Sequence, residues 1–482
     1  MLRRSPPNRT SGSGSDVRPR RNEAVRKKSA EAARELMAWA AEAAHGPLPP
    51  EIRDRAALVL SDNIGAMVAA AMEPGVVRSR EVFTRNSCGA EASVFAPGTP
   101  RLDRASAAAA NGMAAAWCEL DEGFRGAPCH AGAYILPALL AEAEARGASV
   151  GMVLSCLVAA YEITARMAQA FPFPAMTVHP HAAFATIGAA AAVSLIRGHD
   201  ARLLIETVSG AASMTFAGPY EHAIEGALVR NAWTSAGAWI GIRSADFSEA
   251  GIAGLPETFY DVFATAFSTN AQPSKLSEGL GQDWSIAGGY HKIFACCQYA
   301  HGAIEATLTL RERLGTGRRI QDIEEILVET HPRGLTLTTV DPPTVLSAKF
   351  SMPHAMAASA VAGTGSQPAF NEEALHNPQI AELRRKVRLE PIGEVGPPPN
   401  DRPSRVTWRF RDGQTWSELR ESARGGLDQP FEEATLLAKL CDNTEWAFPA
   451  MARVLTGIVQ GGADPGAGWR ETVDEMMRNA KV

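Results

Sequence analysis

Alanine and glycine crowd the same stretches of this chain: residues 107–116 read AAAANGMAAA, 186–192 read TIGAAAA and 235–242 read SAGAWIGI. Alanine favours helix, and side chains this small let helix axes approach closely. Repeated from Ser29 to about Asn270, the pattern predicts a packed multi-helix body with little room for water. Ala30–Ala44 reads as one amphipathic helix stopped by Gly46-Pro47, and Pro49-Pro50 starts the next, Glu51–Met72. Further helices are expected near 104–118, 131–146, 149–169, 182–197, 201–215 and 227–245. No fixed period indicates a solenoid.

After Gln272 the pattern changes. β-branched or alternating runs appear at Ile323–Thr330, Val387–Glu390 and Arg405–Arg411, and Asp412-Gly413 is a hairpin turn signal before Thr415–Leu419. Helices near 299–313 and 347–362 sit among these strands, and 391–403 reads as a proline-rich loop. From Pro430 through Ile458 the chain turns helical again, which predicts a return to the first body. Residues 1–28 are rich in Arg, Ser, Pro and Gly and bury too little to order, so a disordered basic tail is expected there. The expected fold class is mainly α: a helical domain over 29–272, a smaller α+β unit over 273–425, and a helical return over 426–482. A cleft between the two units is the expected place for a small ligand.

Composition narrows the function classes. A net charge of −6 gives no footing for nucleic acid, and no apolar run reads as the roughly 18 residues that would span a bilayer. Seven cysteines without regular spacing read as free thiols of a reducing compartment, so a cytoplasmic protein is expected.

The stretch Asn111–Arg146 holds the densest chemistry. Glu119, Asp121 and Glu122 end one helical run, a polar loop follows, and His130 opens the next helix. Carboxylates facing an imidazole in apolar surroundings make an acid–base site. A helix N-terminus favours the neutral form of His130. His179 and His181 frame Pro180 before an alanine-rich helix, and no Cys, Asp or Glu stands at ligand spacing to make them a metal pair. Arg230 and Lys292 are suited to carboxylates; by itself Arg230 would more often be a solvated surface group, but a guanidinium grips a carboxylate bidentately. Cys296-Cys297 read as buried thiols rather than a redox pair, and His301 as a second candidate near Lys292.

In this order, several segments together resemble the MmgE/PrpD family. They are Asp62-Asn63-Ile64-Gly65, Asn111-Gly112, the acidic cluster ending at Asp121-Glu122, and His130 followed by Leu136-Pro137-Ala138. Ala160-Tyr161-Glu162 with Arg166, His179-Pro180 and Thr186-Ile187-Gly188 continue the likeness, as do Tyr290, Lys292, Cys297, His301 and Lys349-Phe350-Ser351-Met352-Pro353. The similarity runs from about residue 30 to 460. The resemblance implies a large helical domain with a smaller α+β lid, a homodimer, and chemistry without metal or organic cofactor. It also implies proton movement beside a carboxylate of a small di- or tricarboxylate, as in 2-methylcitrate dehydratase, cis-aconitate decarboxylase and iminodisuccinate epimerase. On that basis His130, His179, Asp121 and Glu119 are the expected catalytic groups. Arg230, Lys292, Cys297, His301 and His181 are the expected substrate-binding groups. The expected reaction is dehydration, with decarboxylation or epimerisation as alternatives and a non-catalytic ligand-binding homologue as the rival from another class. The family commonly carries histidine near Ala116, aspartates near Glu119 and Glu122, and threonine near Gly123, so this chain departs from the pattern at four positions and keeps it at Asp121.

Overall fold

The computed structural model describes residues 22–315 and 317–481. Its first helix, α1, spans Glu23–Ala43, where the side chain of Asn22 accepts the Val25 N–H and Arg26 grips Asp261 through two 3.0 Å bonds. The tail assigned to 1–28 is therefore helical from Glu23 onward, because a cap and a long-range ion pair supply what its composition lacks; the rest of that assignment lies outside the described residues.

Helices follow in order: α2 (Pro50–Ala69), α3 (Pro74–Asn86), α4 (Arg104–Ala115), α5 (Ala131–Arg146), α6 (Val150–Ala170), α7 (Pro180–Ile196), α8 (Ala201–Ser213), α9 (Glu221–Glu225), α10 (Val229–Glu249) and α11 (Ser274–Ser277). Asp103, Ser149 and Asp200 cap α4, α6 and α8 through side-chain oxygens. Helix α7 is the buried axis, packed against α5, α6, α8 and α10. A Cβ on Gly241 of α10 would stand 2.3 Å from the Ala189 Cβ of α7, so only glycine permits this approach. Helix α6 is 21 residues long and contains an 18-residue window of mean hydropathy 1.4, which satisfies the length and composition of a membrane span and corrects the expectation that no such run exists; 83% of that window is buried inside the fold, as in the core helix of a soluble protein.

Between α4 and α5 lies β1 (Gly123–Phe124), paired antiparallel with β2 (Gly289–Tyr290) at the entry to the second half of the chain. Beyond it come α12 (His301–Glu312), β3 (Ile323–Thr330), α13 (Val345–Lys349), α14 (Met352–Ala362), α15 (Glu372–His376), α16 (Pro378–Arg384), β4 (Val387–Pro391), β5 (Ser404–Phe410) and β6 (Thr415–Arg420). The sheet order is β4-β3-β5-β6, with β3 parallel to β4 and antiparallel to β5. Ile323, Ile326 and Val328 point into the core, where α12 packs on β5 and β6 and in turn against α14. Helices α17 (Glu433–Thr444), α18 (Met451–Val459) and α19 (Trp469–Met476) run back along α2 and α5, and Lys439 of α17 pairs with buried Asp62 of α2 at 2.6 Å.

Candidate active site

Helix α4 ends at Ala115, and the following segment turns back through Glu119, whose φ of 54° lies in the left-handed region that side chains avoid. The bend aims the Glu119 carboxylate inward and leaves Asp121 fully buried two residues later. His130 flanks the N-terminus of α5. Its Nδ1 lies 2.8 Å from Asp121 Oδ2 and 3.1 Å from the Glu122 carbonyl oxygen. Both neighbours are acceptors, so Nδ1 carries the proton and Nε2 keeps its lone pair. That nitrogen is placed to take a proton.

His179 caps α7 instead of opening toward solvent: its Nδ1 accepts the His181 backbone N–H at 3.1 Å, and Arg230 Nε lies 3.3 Å from its Nε2. Burial and then the Arg230 charge hold His179 well below the usual imidazole range, so it is neutral. His181 is fully buried behind it, its Nδ1 2.9 Å from the Tyr134 hydroxyl and its ring 5.1 Å from that of His130.

Arg230, in the first turn of α10, meets Glu119 at 2.5 Å, and Lys292, two residues past β2, meets Glu119 at 3.4 Å and Asp121 at 3.6 Å. Burial alone would lower the Lys292 ammonium, but Asp121 and Glu119 outweigh it and the net shift is upward. Burial likewise raises Asp121, yet Lys292 and then His130 pull it below the ordinary carboxylate range, so it stays ionised. Glu122 differs. Its oxygens accept Gly132 N–H at 2.7 Å and the Tyr161 hydroxyl at 3.0 Å without a close cation, and burial raises it to about 7. The Cys297 thiol is also raised by burial, to about 11, and stays protonated.

These groups gather at a cavity where the helical body meets the segment entering the second half. Glu119, His130, His179, Arg230, Lys292 and Cys297 line it, and Asp121 sits beneath, tying His130 to Lys292. His181 lies behind the wall. His301 is outside the lining, its Nε2 3.2 Å from the Cys296 carbonyl and its ring edge-on to Phe294. Sequence reasoning missed Tyr220, Gln298, Tyr299 and Arg402 in the wall. Arg402 belongs to the loop before β5, where nothing marks one arginine among several. Gly123 has a local cause, since a Cβ there would stand 2.5 Å from the Tyr290 hydroxyl. Among the described residues, no three His, Cys, Asp or Glu side chains converge as a metal-binding group.

Residues 34–274 match the MmgE/PrpD N-terminal domain and 294–460 the MmgE/PrpD C-terminal domain. The chain belongs to the MmgE/PrpD family. Within that family it is similar to a cis-aconitate decarboxylase-like protein, oryM, of Aspergillus oryzae (strain ATCC 42149 / RIB 40), at 23% identity over 437 residues that cover 84% of this chain and 89% of the relative. The MmgE/PrpD family includes dehydratases and decarboxylases, and the two domain matches meet on either side of β2, which forms one edge of the cavity.

Proposed function

We propose that the protein is a cofactor-independent hydro-lyase acting on a small di- or tricarboxylate, with His130 as the base. The observation that carries this reading is the open Nε2 of His130, whose other nitrogen is held by ionised Asp121, facing a wall that bears Arg230, Lys292 and Arg402. His130 takes the proton from the carbon beside a substrate carboxylate, and Asp121 stabilises the imidazolium that forms. The cationic wall and the N-termini of α5 and α7 stabilise the charge that grows on that carboxylate. The imidazolium then gives its proton to the departing hydroxyl, and water leaves. His179 is too poor a proton carrier to share this step, and it orients the substrate.

Decarboxylation is the second reading, supported by the name of the Aspergillus relative. Loss of CO₂ would instead leave a carbanion on the carbon that bore the carboxylate, and His130 entering this reaction as the imidazolium would protonate it there. Purified protein incubated in D₂O with citrate, 2-methylcitrate, cis-aconitate or iminodisuccinate separates these outcomes by NMR. The proposal expects water loss and α-proton exchange from one of them, both abolished by His130→Ala. No exchange with any acid would sink the enzyme reading in favour of a ligand-binding homologue.

A cytoplasmic homodimer is part of the same proposal. Val229, Trp239 and Phe247 are exposed along one side of α10, a face that a second copy would cover, and light scattering on the purified chain reads the result.

A further inference from the structure

The bend that carries Glu119 and Asp121 leaves the end of α4, where carbonyl oxygens lose their helical partners. Three basic side chains from distant parts of the chain meet those oxygens. Arg230 Nη1 of α10 donates to the Ala116 carbonyl at 3.2 Å, Lys349 Nζ of α13 to the Trp117 carbonyl at 2.8 Å, and Lys439 Nζ of α17 to the Leu120 carbonyl at 2.8 Å. Basic groups suit the C-terminal end of a helix, where they bond the last carbonyls and oppose its dipole. Arg230 lines the catalytic cavity, but the two lysines do not: Lys349 and Trp117 line a separate hollow, and Lys439 and Leu120 a separate groove.

Each lysine is tied to a second point. Lys439 Nζ also donates to Asp62 Oδ1 of α2 at 2.6 Å, and Asp62 Oδ2 lies 3.1 Å from Nδ1 of His291, the residue before Lys292. Lys349 is 3% exposed, and among the described residues no carboxylate lies within ion-pair distance of it. Its main-chain carbonyl accepts the Cys297 N–H at 2.9 Å, and its neighbour Phe350 lines the cavity with the Arg230 guanidinium 5.3 Å from the ring centre. A buried lysine without a counter-charge is a poor device for stability, yet this one joins the bend to the cavity lining at Cys297 and Phe350.

We propose that Lys349 and Lys439 are positioning residues, which fix the bend so that Asp121 stays on Nδ1 of His130, and that neither touches the substrate. Trp117 lies two residues before Glu119, and Leu120 lies between the two carboxylates, so a shift of either carbonyl moves them. A misplacement of about 1 Å is worth on the order of 10²-fold in rate. Their part in turnover rests on His130 being the base of the proposed lyase.

Two readouts on the purified full chain test this. Lys349→Met strands no partner charge, and Lys439→Met combined with Asp62→Asn leaves none either. With an acid that the wild type turns over, both variants should lose about 10–100-fold in kcat while KM stays within about threefold, because Arg230 and Lys292 remain. Lys439→Arg, which keeps the donors and has the groove to fit them, should recover most of that loss. Without substrate, ¹⁵N-histidine labelling shows the His130 Nδ1 proton bonded to Asp121 as a downfield resonance, identified by its disappearance in His130→Gln. It should broaden or vanish in both variants while the helical circular dichroism is full. A resonance that persists unchanged, or a kcat within about threefold of wild type, overturns the inference for the lysine concerned and leaves the lyase reading intact. If Lys349→Met does not fold, the double variant decides alone. A wild type that turns over no acid and exchanges no α-proton, with the resonance responding as described, removes the lyase reading and leaves the positioning of the His130–Asp121 pair in place.

Discussion

Asp121 and Glu122 are adjacent carboxylates in opposite states, and their surroundings explain why. Asp121 lies between an ammonium and an imidazole, whereas Glu122 has hydrogen-bond donors but no ion pair, and burial outweighs the pull of the Arg55 charge. Asp121→Asn removes the charge that steadies protonated His130, so proton exchange should fall on the order of 10²–10⁴-fold; combined with His130→Gln the losses should not multiply, because the two groups act as a unit. Glu122 gives a stability signature instead. Its pKa is raised from 4.5 to about 7, so the native protein holds a proton that the unfolded chain releases. The stability this confers is complete below pH 4.5 and is lost as pH rises through about 7, roughly 3 kcal/mol in all. Melting temperature followed against pH should therefore show a wild-type minus Glu122→Gln difference that declines between pH 4.5 and 7 and is flat above. A flat difference throughout would mean that Glu122 is ionised in the fold.

Helix α10 meets α7 through glycine, and the approach leaves no room for a larger side chain. Gly241→Val should cost about 1–3 kcal/mol, read as a lower urea midpoint with an unchanged slope, because its branches would enter the Ala189 backbone. Elements like these are legible in sequence because their causes are local: alanine runs, oxygen caps and alternating β-branched strands each follow from a few neighbouring residues. Helix α3 escapes that reading because Val76 is its one fully buried residue among the thirteen, so it has no apolar face to count. The two-residue strands β1 and β2 are too short to carry any period. The site divides the same way. His130, His179, Arg230 and Lys292 are picked out by family-like segments and do reach one cavity, whereas Arg402 arrives through a loop whose path is set by distant contacts with Arg125 and Gln298. His301 shows the converse, a histidine in a matching segment that its carbonyl partner and Phe294 keep in the core.

At the scale of the whole molecule, the base and the cations come from separate segments of chain. His130 belongs to the helical body, Lys292 to the segment just past β2, and Arg402 to the loop before β5 in the sheet-bearing unit. Among the pairings across the seam that set their spacing are the ladder Gly123↔Tyr290 and Phe124↔Gly289, and the bonds from Arg125 to Asp401 and the Pro399 carbonyl. One hydrophobic core runs through both halves, whereas at the cavity's edge the contacts between them are polar. In dilute urea this polar edge should loosen first, and turnover should vanish at concentrations where the helical circular dichroism is still full. Coincident loss of the two signals would refute that order. Heat or denaturant would then silence this protein well before it becomes a target for aggregation or proteolysis, and early inactivation would be recoverable simply by dilution.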